Sequence, residues 1–229
     1  GTSVRMPSDK AAELLAAYGL AVWPSTRVGD VDAALAAASS IGWPVALKAA
    51  DEVLRHRADL GGVRLDLSTP AELTEAFGSL RQRLASLGRH NVAIEVQRMA
   101  PSGAACVVTG IEDDLYGPIL SFGLAGDAVE MLDDVAYRVP PLTEADVADL
   151  VRAVRASPRL LGYRGLPPMD VAALEDVIER LSVLKEELPE VRAVALNPVL
   201  VGEHGAAILS ATVDLLAAER GDTARRALP

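Results

Sequence analysis

Apolar residues return every three or four positions in some stretches of the chain and alternate or run together in short blocks in others. Helical spacing covers "DKAAELLAAYG" (9–19), with Ser8 as its cap and Gly19 as its stop, and "AALAAASSIG" (33–42), begun by Asp30 or Asp32. It returns in "AELTEAFGSLRQRLASLG" (71–88), where Thr69 and Pro70 form a strong start and Gly88 an end. Two more helices are predicted, "EADVADLVRAVRAS" (144–157) behind a Thr143–Asp146 capping box and "VAALEDVIERLSVLKEEL" (171–188) capped by Asp170. Strands are predicted at "PVALKAA" (44–50), "GGVRLDL" (61–67), "NVAIEVQ" (91–97), "ACVVTGIE" (105–112) and "GPILSFG" (117–123). Further strands follow at "AVEMLDDVAYRV" (128–139), "VRAVALNPVLV" (191–201) and "AAILSATVDLL" (206–216). The mixed order implies an α+β protein of two lobes dividing near Gln97 to Gly103. Residues 1–97 form the first lobe, 98–219 the second and 220–229 a loose tail. A cleft between lobes is a common place for a ligand.

Composition narrows the function. Half of the 229 residues are hydrophobic, which supports a packed core rather than disorder. The formal net charge of −10 opposes a broad nucleic-acid surface but leaves room for a nucleotide, which needs only a few local donors. No apolar run approaches the roughly 18–20 residues of a membrane span, and "GTSVRMPSDK" lacks the apolar core of a signal peptide. The single cysteine, Cys106, excludes an internal disulfide and fits a cytoplasmic setting. Only three of the 22 basic residues are lysines, at positions 10, 48 and 185. A lysine inside an apolar block is therefore a less casual choice here than usual, since lysine offers phosphate a compact point charge.

Four stretches carry candidate chemistry. Lys48 lies in the middle of "PVALKAA", where spacing alone favours the solvent face of an edge strand, and the arginine bias favours a phosphate ligand. "HRADLGG" (56–62) sets His56 and Asp59 before Gly61 and Gly62. Adjacent glycines let backbone amides converge on an anion, and an imidazole can carry a phosphoryl group. Taken alone, the stretch reads as a surface histidine ahead of an ordinary glycine turn. "FGLAGDAVEMLDD" (122–134) gathers Glu130, Asp133 and Asp134, enough carboxylate for a magnesium shell or for a plain acidic loop. In "ALNPVLV", Asn197 before Pro198 is most often a turn former, and becomes a metal ligand beside an acidic partner.

In this order the four stretches resemble the ATP-grasp domain of NDP-forming acyl-CoA synthetases, relatives of the succinyl-CoA synthetase β subunit. The resemblance runs from "AAELLAAYGLAVWPSTRV" to "AAILSATVDLL". It is most specific in "GWPVALKAADEVLRHRADLGGVRLDL", "GPILSFGLAG", "VEMLDDVAYRVPPLTEADV", "GYRGLPPMD" and "ALNPVLV". It implies an ATP-grasp fold that binds ATP or ADP in a cleft between two α/β lobes. His56 then stands where the family relays a phosphoryl group between a ligase histidine and the nucleotide. Lys48 corresponds to a phosphate-contacting lysine, and Glu95, Val96 and Gln97 to the hinge that meets the adenine, partly through backbone groups. Glu130 corresponds to an acidic residue beside the phosphates and Asn197 to a magnesium ligand. The CoA-binding and ligase portion is expected to be a separate domain or subunit.

The sequence departs from the family at three acidic positions, now Ala105, Ala195 and Ser210. A hard cation needs anionic oxygen ligands, so the magnesium site is expected to be weakened or absent. The alternative is thus a catalytically degenerate module with a regulatory or sensor role, as in relatives fused to an acetyltransferase domain.

Overall fold

The computed structural model describes residues 3–51, 54, 61–126 and 131–216. In chain order the elements are β1 (Ser3–Arg5), α1 (Ser8–Ala17), β2 (Ser25–Val28), α2 (Val31–Ile41), β3 (Val45–Ala49), β4 (Val63–Leu67), α3 (Pro70–Ser86) and β5 (Ile94–Arg98). There follow β6 (Ala104–Asp113), β7 (Gly117–Leu124), β8 (Val135–Arg138), α4 (Glu144–Ala153), α5 (Val171–Glu187), β9 (Val191–Gly202), β10 (Gly205–Ile208) and β11 (Ala211–Leu216). They form two units, Trp23–Ser102 and the remainder, Gly1–Val22 with Gly103–Pro229. The units divide after Val22 and after Ser102. Residues up to Val22, expected in the first lobe, belong to the second, because Ala11 and Leu15 of α1 are buried in its core and β1 pairs with β11. None of the described helices is long and apolar enough to cross a membrane.

The smaller unit is a four-stranded antiparallel sheet in the order β2-β5-β3-β4. Strand alternation sends Val45, Leu47, Ala49, Ile94 and Val96 into one core with Ala34 and Ala38 of α2 and Leu73, Phe77, Leu80 and Leu84 of α3. Ala46, Lys48, Glu95 and Gln97 occupy the other face. The start of α3 is fixed by Thr69, whose hydroxyl accepts from the Glu72 amide while the Glu72 carboxylate accepts from the Thr69 amide.

The larger unit is a seven-stranded antiparallel sheet running β1-β11-β9-β6-β7-β8, with β10 also paired to β9. Cys106 and Val108, Leu120 and Phe122, and Val194, Leu196, Val199 and Val201 face α1, α4 and α5. Among them the Cys106 thiol is pushed up to about 12 by burial, so it is a protonated packing group at neutral pH.

Several boundaries differ from those the pattern predicts. Pro7, with φ −54 and ψ 142, takes the N-cap of α1, which leaves Ser8 in the first turn rather than at the cap. β1 and β2 were not predicted; both are short edge strands with mostly exposed residues, so neither shows apolar alternation. The strand predicted over 128–139 is confined to Val135–Arg138 within the described residues. Asn197–Pro198 is no turn but lies inside β9. Cys106 pairs with Val199 and Val108 with Leu196, so the two residues form a bulge opposite Val107 and the missing proline N–H breaks no ladder. The predicted closing strand splits into β10 and β11 at Leu209–Ser210, beside that bulge.

One buried charge ties α5 to the sheet. Lys185 is 1% exposed, and its ammonium donates to the Val191 carbonyl and, at 3.2 Å, to Glu112 of β6. Burial lowers its pKa, and Glu112 opposes that shift. The stem passes over Gly110, where an added Cβ would stand 2.8 Å from Lys185 Cγ. Gly110→Ala is therefore expected to destabilise the protein by about 1–3 kcal/mol in urea unfolding, as overpacking does. That outweighs the roughly 0.4–1 kcal/mol that alanine gains through the unfolded chain. A neutral result would show that the lysine stem yields freely.

Candidate functional site

In the smaller unit the register brings three polar side chains into one row. Arg27 of β2 stands opposite Glu95 of β5, and Glu95 opposite Lys48 of β3. Arg27 Nε donates to Glu95 Oε1 at 3.1 Å. Lys48 Nζ donates to Gln97 Oε1 at 2.5 Å, and Gln97 Nε2 donates to the Trp23 carbonyl at 2.9 Å. The strand that carries Lys48 is interior, flanked by β5 and β4, so the edge-strand reading of this lysine is corrected. Glu95 and Gln97 are only 6% and 3% exposed. Such burial is rare for a carboxylate unless it is partnered, as it is here by Arg27. Val96 points into the core, so any ligand contact from it is limited to the main chain.

The segment after β3 is fixed at both ends. Asp51, buried, pairs with Arg89 and accepts from the Leu54 amide at 3.2 Å. The Gly62 carbonyl accepts from the Ala49 amide at 2.9 Å, and an added Cβ at Gly62 would meet the Leu54 carbonyl oxygen at 2.0 Å. Gly61 holds φ +78, which favours glycine. Both glycines thus have a conformational cause alongside any anion-binding one. His56 and Asp59, which the sequence places between Leu54 and Gly61, lie outside the described residues.

In the larger unit, the face of the sheet opposite the helices carries a cavity of about 290 Å³ lined by Val107, Thr109, Ser121, Gly123, Tyr137 and Asn197, among others. Thr109 and Ser121 face each other across β6 and β7, with their hydroxyl oxygens 2.5 Å apart. Tyr137 pairs with Ser121 from β8. The bulge in β9 places Asn197 beside Ser210: the Asn197 amide donates to the Ser210 carbonyl at 3.0 Å. Ala195 pairs with Thr109, and Ala105 lies on the same face of β6. The Thr109–Ser121 pair and Tyr137 were not singled out in the sequence, because isolated hydroxyls in strands carry no pattern until register aligns them.

The acidic stretch before β8 divides. Glu130 lies outside the described residues. Asp133 is exposed, and both oxygens of Asp134 accept from main-chain amides, Arg155 at 2.8 Å and Ala156 at 2.9 Å. Asp134 therefore holds the end of α4 in place, not a magnesium shell. Among the described residues no group of three or more His, Cys, Asp or Glu side chains is placed to hold a metal ion. Among the described residues the donors around Asn197 are an amide and hydroxyls, so a hard divalent cation there would need anionic oxygens from elsewhere.

The comparisons with known proteins agree with this architecture. A family described as an ATP-grasp domain matches residues 3–215. The chain is 34% identical over 209 residues to subunit beta of ADP-forming acetate–CoA ligase I from Pyrococcus furiosus, covering 90% of each. It is 36% identical over 209 residues to ADP-forming acetate–CoA ligase I of Archaeoglobus fulgidus, covering 90% of this chain and 30% of that protein. Among solved structures, dinucleotide-forming acetyl-coenzyme A synthetase 1 of Ca. Korarchaeum cryptofilum, in complex with coenzyme A and Ca-AMPCP, superposes with a TM-score of 0.81. Identity there is 29%, and 93% of each chain is covered. The same synthetase with Mg-AMPPCP has its phosphohistidine segment pointing towards the nucleotide binding site, and matches with a TM-score of 0.75. The chain belongs to the ATP-grasp family. It spans nine-tenths of the Pyrococcus beta subunit and under a third of the Archaeoglobus ligase.

Gln97 is the polar pivot of the smaller unit, since it joins Lys48 to the Trp23 carbonyl. Gln97→Leu should cost about 1–3 kcal/mol of stability, the range for stranding buried hydrogen-bonding groups. Gln97→Glu should cost less, because it keeps an acceptor for Lys48. Urea unfolding of both variants measures the difference, and equal losses would remove Lys48 from the account.

Proposed function

We propose that this chain is the nucleotide-binding part of an ADP-forming acyl-CoA synthetase and exchanges a phosphoryl group between ATP or ADP and His56. The observation that carries the reading is the match to the Pyrococcus beta subunit over nine-tenths of both chains. The part-buried placement of the Lys48–Gln97 pair on interior strands adds to it. Lys48 is the phosphate ligand, with Gln97 holding its ammonium in position. Glu95, Val96 and Gln97 supply the adenine contact, and Gly61 and Gly62 supply amides beside the histidine. In the forward direction an imidazole nitrogen of His56 attacks the terminal phosphorus; the N–P bond forms as the bond to the bridging oxygen breaks, and ADP leaves. The reverse step returns the phosphoryl group to ADP.

Such transfers depend mostly on positioning and charge neutralisation. Asn197 and Glu130 would hold a magnesium ion that arrives with the nucleotide, and the ion would supply neutralisation of the phosphate charge. The acyl-CoA half-reaction belongs to a CoA-binding ligase subunit or domain; the designation of the Pyrococcus relative as subunit beta supports that division. A second reading, a regulatory module that binds nucleotide without turnover, is favoured by one observation, that among the described residues no carboxylate lines the cavity beside Asn197.

Two measurements test the proposal. Lys48→Ala should weaken ATP and ADP binding by about 1.5–3 kcal/mol, as expected for a hydrogen bond to a charged group; unchanged affinity in a folded variant removes Lys48 from the site. Incubation with γ-labelled ATP in magnesium buffer should leave acid-labile phosphate on the protein. His56→Ala should abolish it while keeping nucleotide affinity. Label that persists in the variant moves the chemistry to another residue, and no label on either protein favours the regulatory module.

A further inference from the structure

The register of the larger sheet sets a row of hydroxyls across the face opposite the helices. Thr109 of β6 pairs with Ser121 of β7, and Ser121 with Tyr137 of β8. Both neighbours of Ser121, Leu120 and Phe122, are fully buried on the helix side, as is Val108 beside Thr109. Alternation therefore turns Thr109 and Ser121 to the other face, where both line the cavity with Tyr137 and Asn197. The Thr109 and Ser121 oxygens stand 2.5 Å apart, and the pair is part-buried. A hydroxyl has one hydrogen to give and two lone pairs with which to receive. In this pair one hydrogen is spent between the two oxygens. The second remains for a further acceptor, and the cavity lies beside it.

We propose that the Thr109–Ser121 pair binds the phosphate tail of the nucleotide, donating its second hydroxyl hydrogen to a phosphate oxygen. The inference rests on the nucleotide reading above and adds to it two residues that the family resemblance does not supply. Asn197, which that resemblance sets beside the phosphates as a magnesium ligand, lines the same cavity. A tail that reaches Asn197 is therefore within reach of both hydroxyls. Ionised phosphate oxygens only accept, and the pair has one hydrogen left to give. An ionised acceptor also strengthens the bond it receives. The inner hydrogen bond orients the outer donor and polarises it, so the pair offers phosphate more than a lone hydroxyl would. A cross-strand Thr–Ser pair contributes to the sheet as well. A pair with that role alone would leave nucleotide affinity untouched.

Calorimetric titration with ATP and with ADP in magnesium buffer, on the wild type and on Thr109→Val/Ser121→Ala, tests this. The double variant removes both hydroxyls with little change of shape and strands neither partner, so the urea midpoint is expected to move little. Its dissociation constants for both nucleotides are expected to rise about tenfold. Thr109→Ser keeps both hydroxyls and should stay within about threefold of the wild type. 2′,3′-Dideoxy-ATP lacks the ribose hydroxyls, and the double variant should lose about tenfold towards it too. A loss that vanishes with this analogue puts the pair on the ribose and overturns the proposal. Thr109→Ser as weak as the double variant assigns the loss to packing and overturns it as well. So does a double variant that binds within about threefold of the wild type. Each of these leaves the nucleotide reading intact. Ser121→Ala alone, expected to lose at least about fivefold, is the second variant should the double one not fold. No binding of either nucleotide to the wild type overturns both.

Discussion

The larger sheet turns on the bulge at Asn197–Pro198. β9 is the strand to which β6, β10 and β11 all pair, so an interruption in it is felt by each neighbour. Proline has no N–H to give, and in a central strand that loss is tolerated only at a bulge. The pair opposes Val107 alone on one side, and on the other the Pro198 carbonyl accepts from Leu209 while the Asn197 amide donates to the Ser210 carbonyl. One local irregularity therefore divides the closing strand into β10 and β11. It also sets Asn197, which lines the cavity on the face opposite the helices, beside the main chain of Ser210. The candidate site of this unit is a consequence of that pleat defect as much as of its side chains.

The opposite face shows what burial demands of charge. Lys185 lies under α5 against β6, and its ammonium is tolerated because Glu112 and the Val191 carbonyl accept from it. Desolvation still disfavours the charged form, as the lowered pKa records. Replacing a buried pair by apolar groups is often neutral or stabilising, so its presence is weak evidence for a large stabilising role. Its geometric effect is firmer: the lysine stem occupies the space that Gly110 leaves, which sets the helix against one position of the strand.

How much of this was legible in the sequence follows the range of each interaction. Caps were legible because both partners lie within one turn. Asp30, Thr69, Thr143 and Asp170 each accept from an amide three residues on. The core strands were legible from their apolar blocks, and the order of motifs carried the family resemblance. β1 and β2 were not, since edge strands with exposed side chains leave no periodic trace. Lys48 could be singled out by its rarity, but its strand's interior position and its Gln97 partner depend on the pairing of β3 with β5 across 49 residues of sequence. Asp134 shows the reverse error. An acidic run suggested metal ligands, and tertiary structure spent the carboxylate on the backbone of Arg155 and Ala156.

Among the described residues no carboxylate lines the cavity beside Asn197, and this is not a shortage of acid. The chain holds 32 aspartates and glutamates against 22 lysines and arginines. Among the described residues many of these carboxylates are placed where backbone amides or arginines receive them. Asp30, Glu72, Asp146 and Asp170 serve helix N-termini, Asp113 the β6–β7 turn, and Asp51, Asp214 and Glu95 ion pairs with arginine. At helix starts a negative charge is favoured by the free N–H groups and the dipole. The acidity of the protein is thus a property of its scaffold. The distribution of that charge, rather than its net value, leaves the described lining of the Asn197 cavity without a carboxylate.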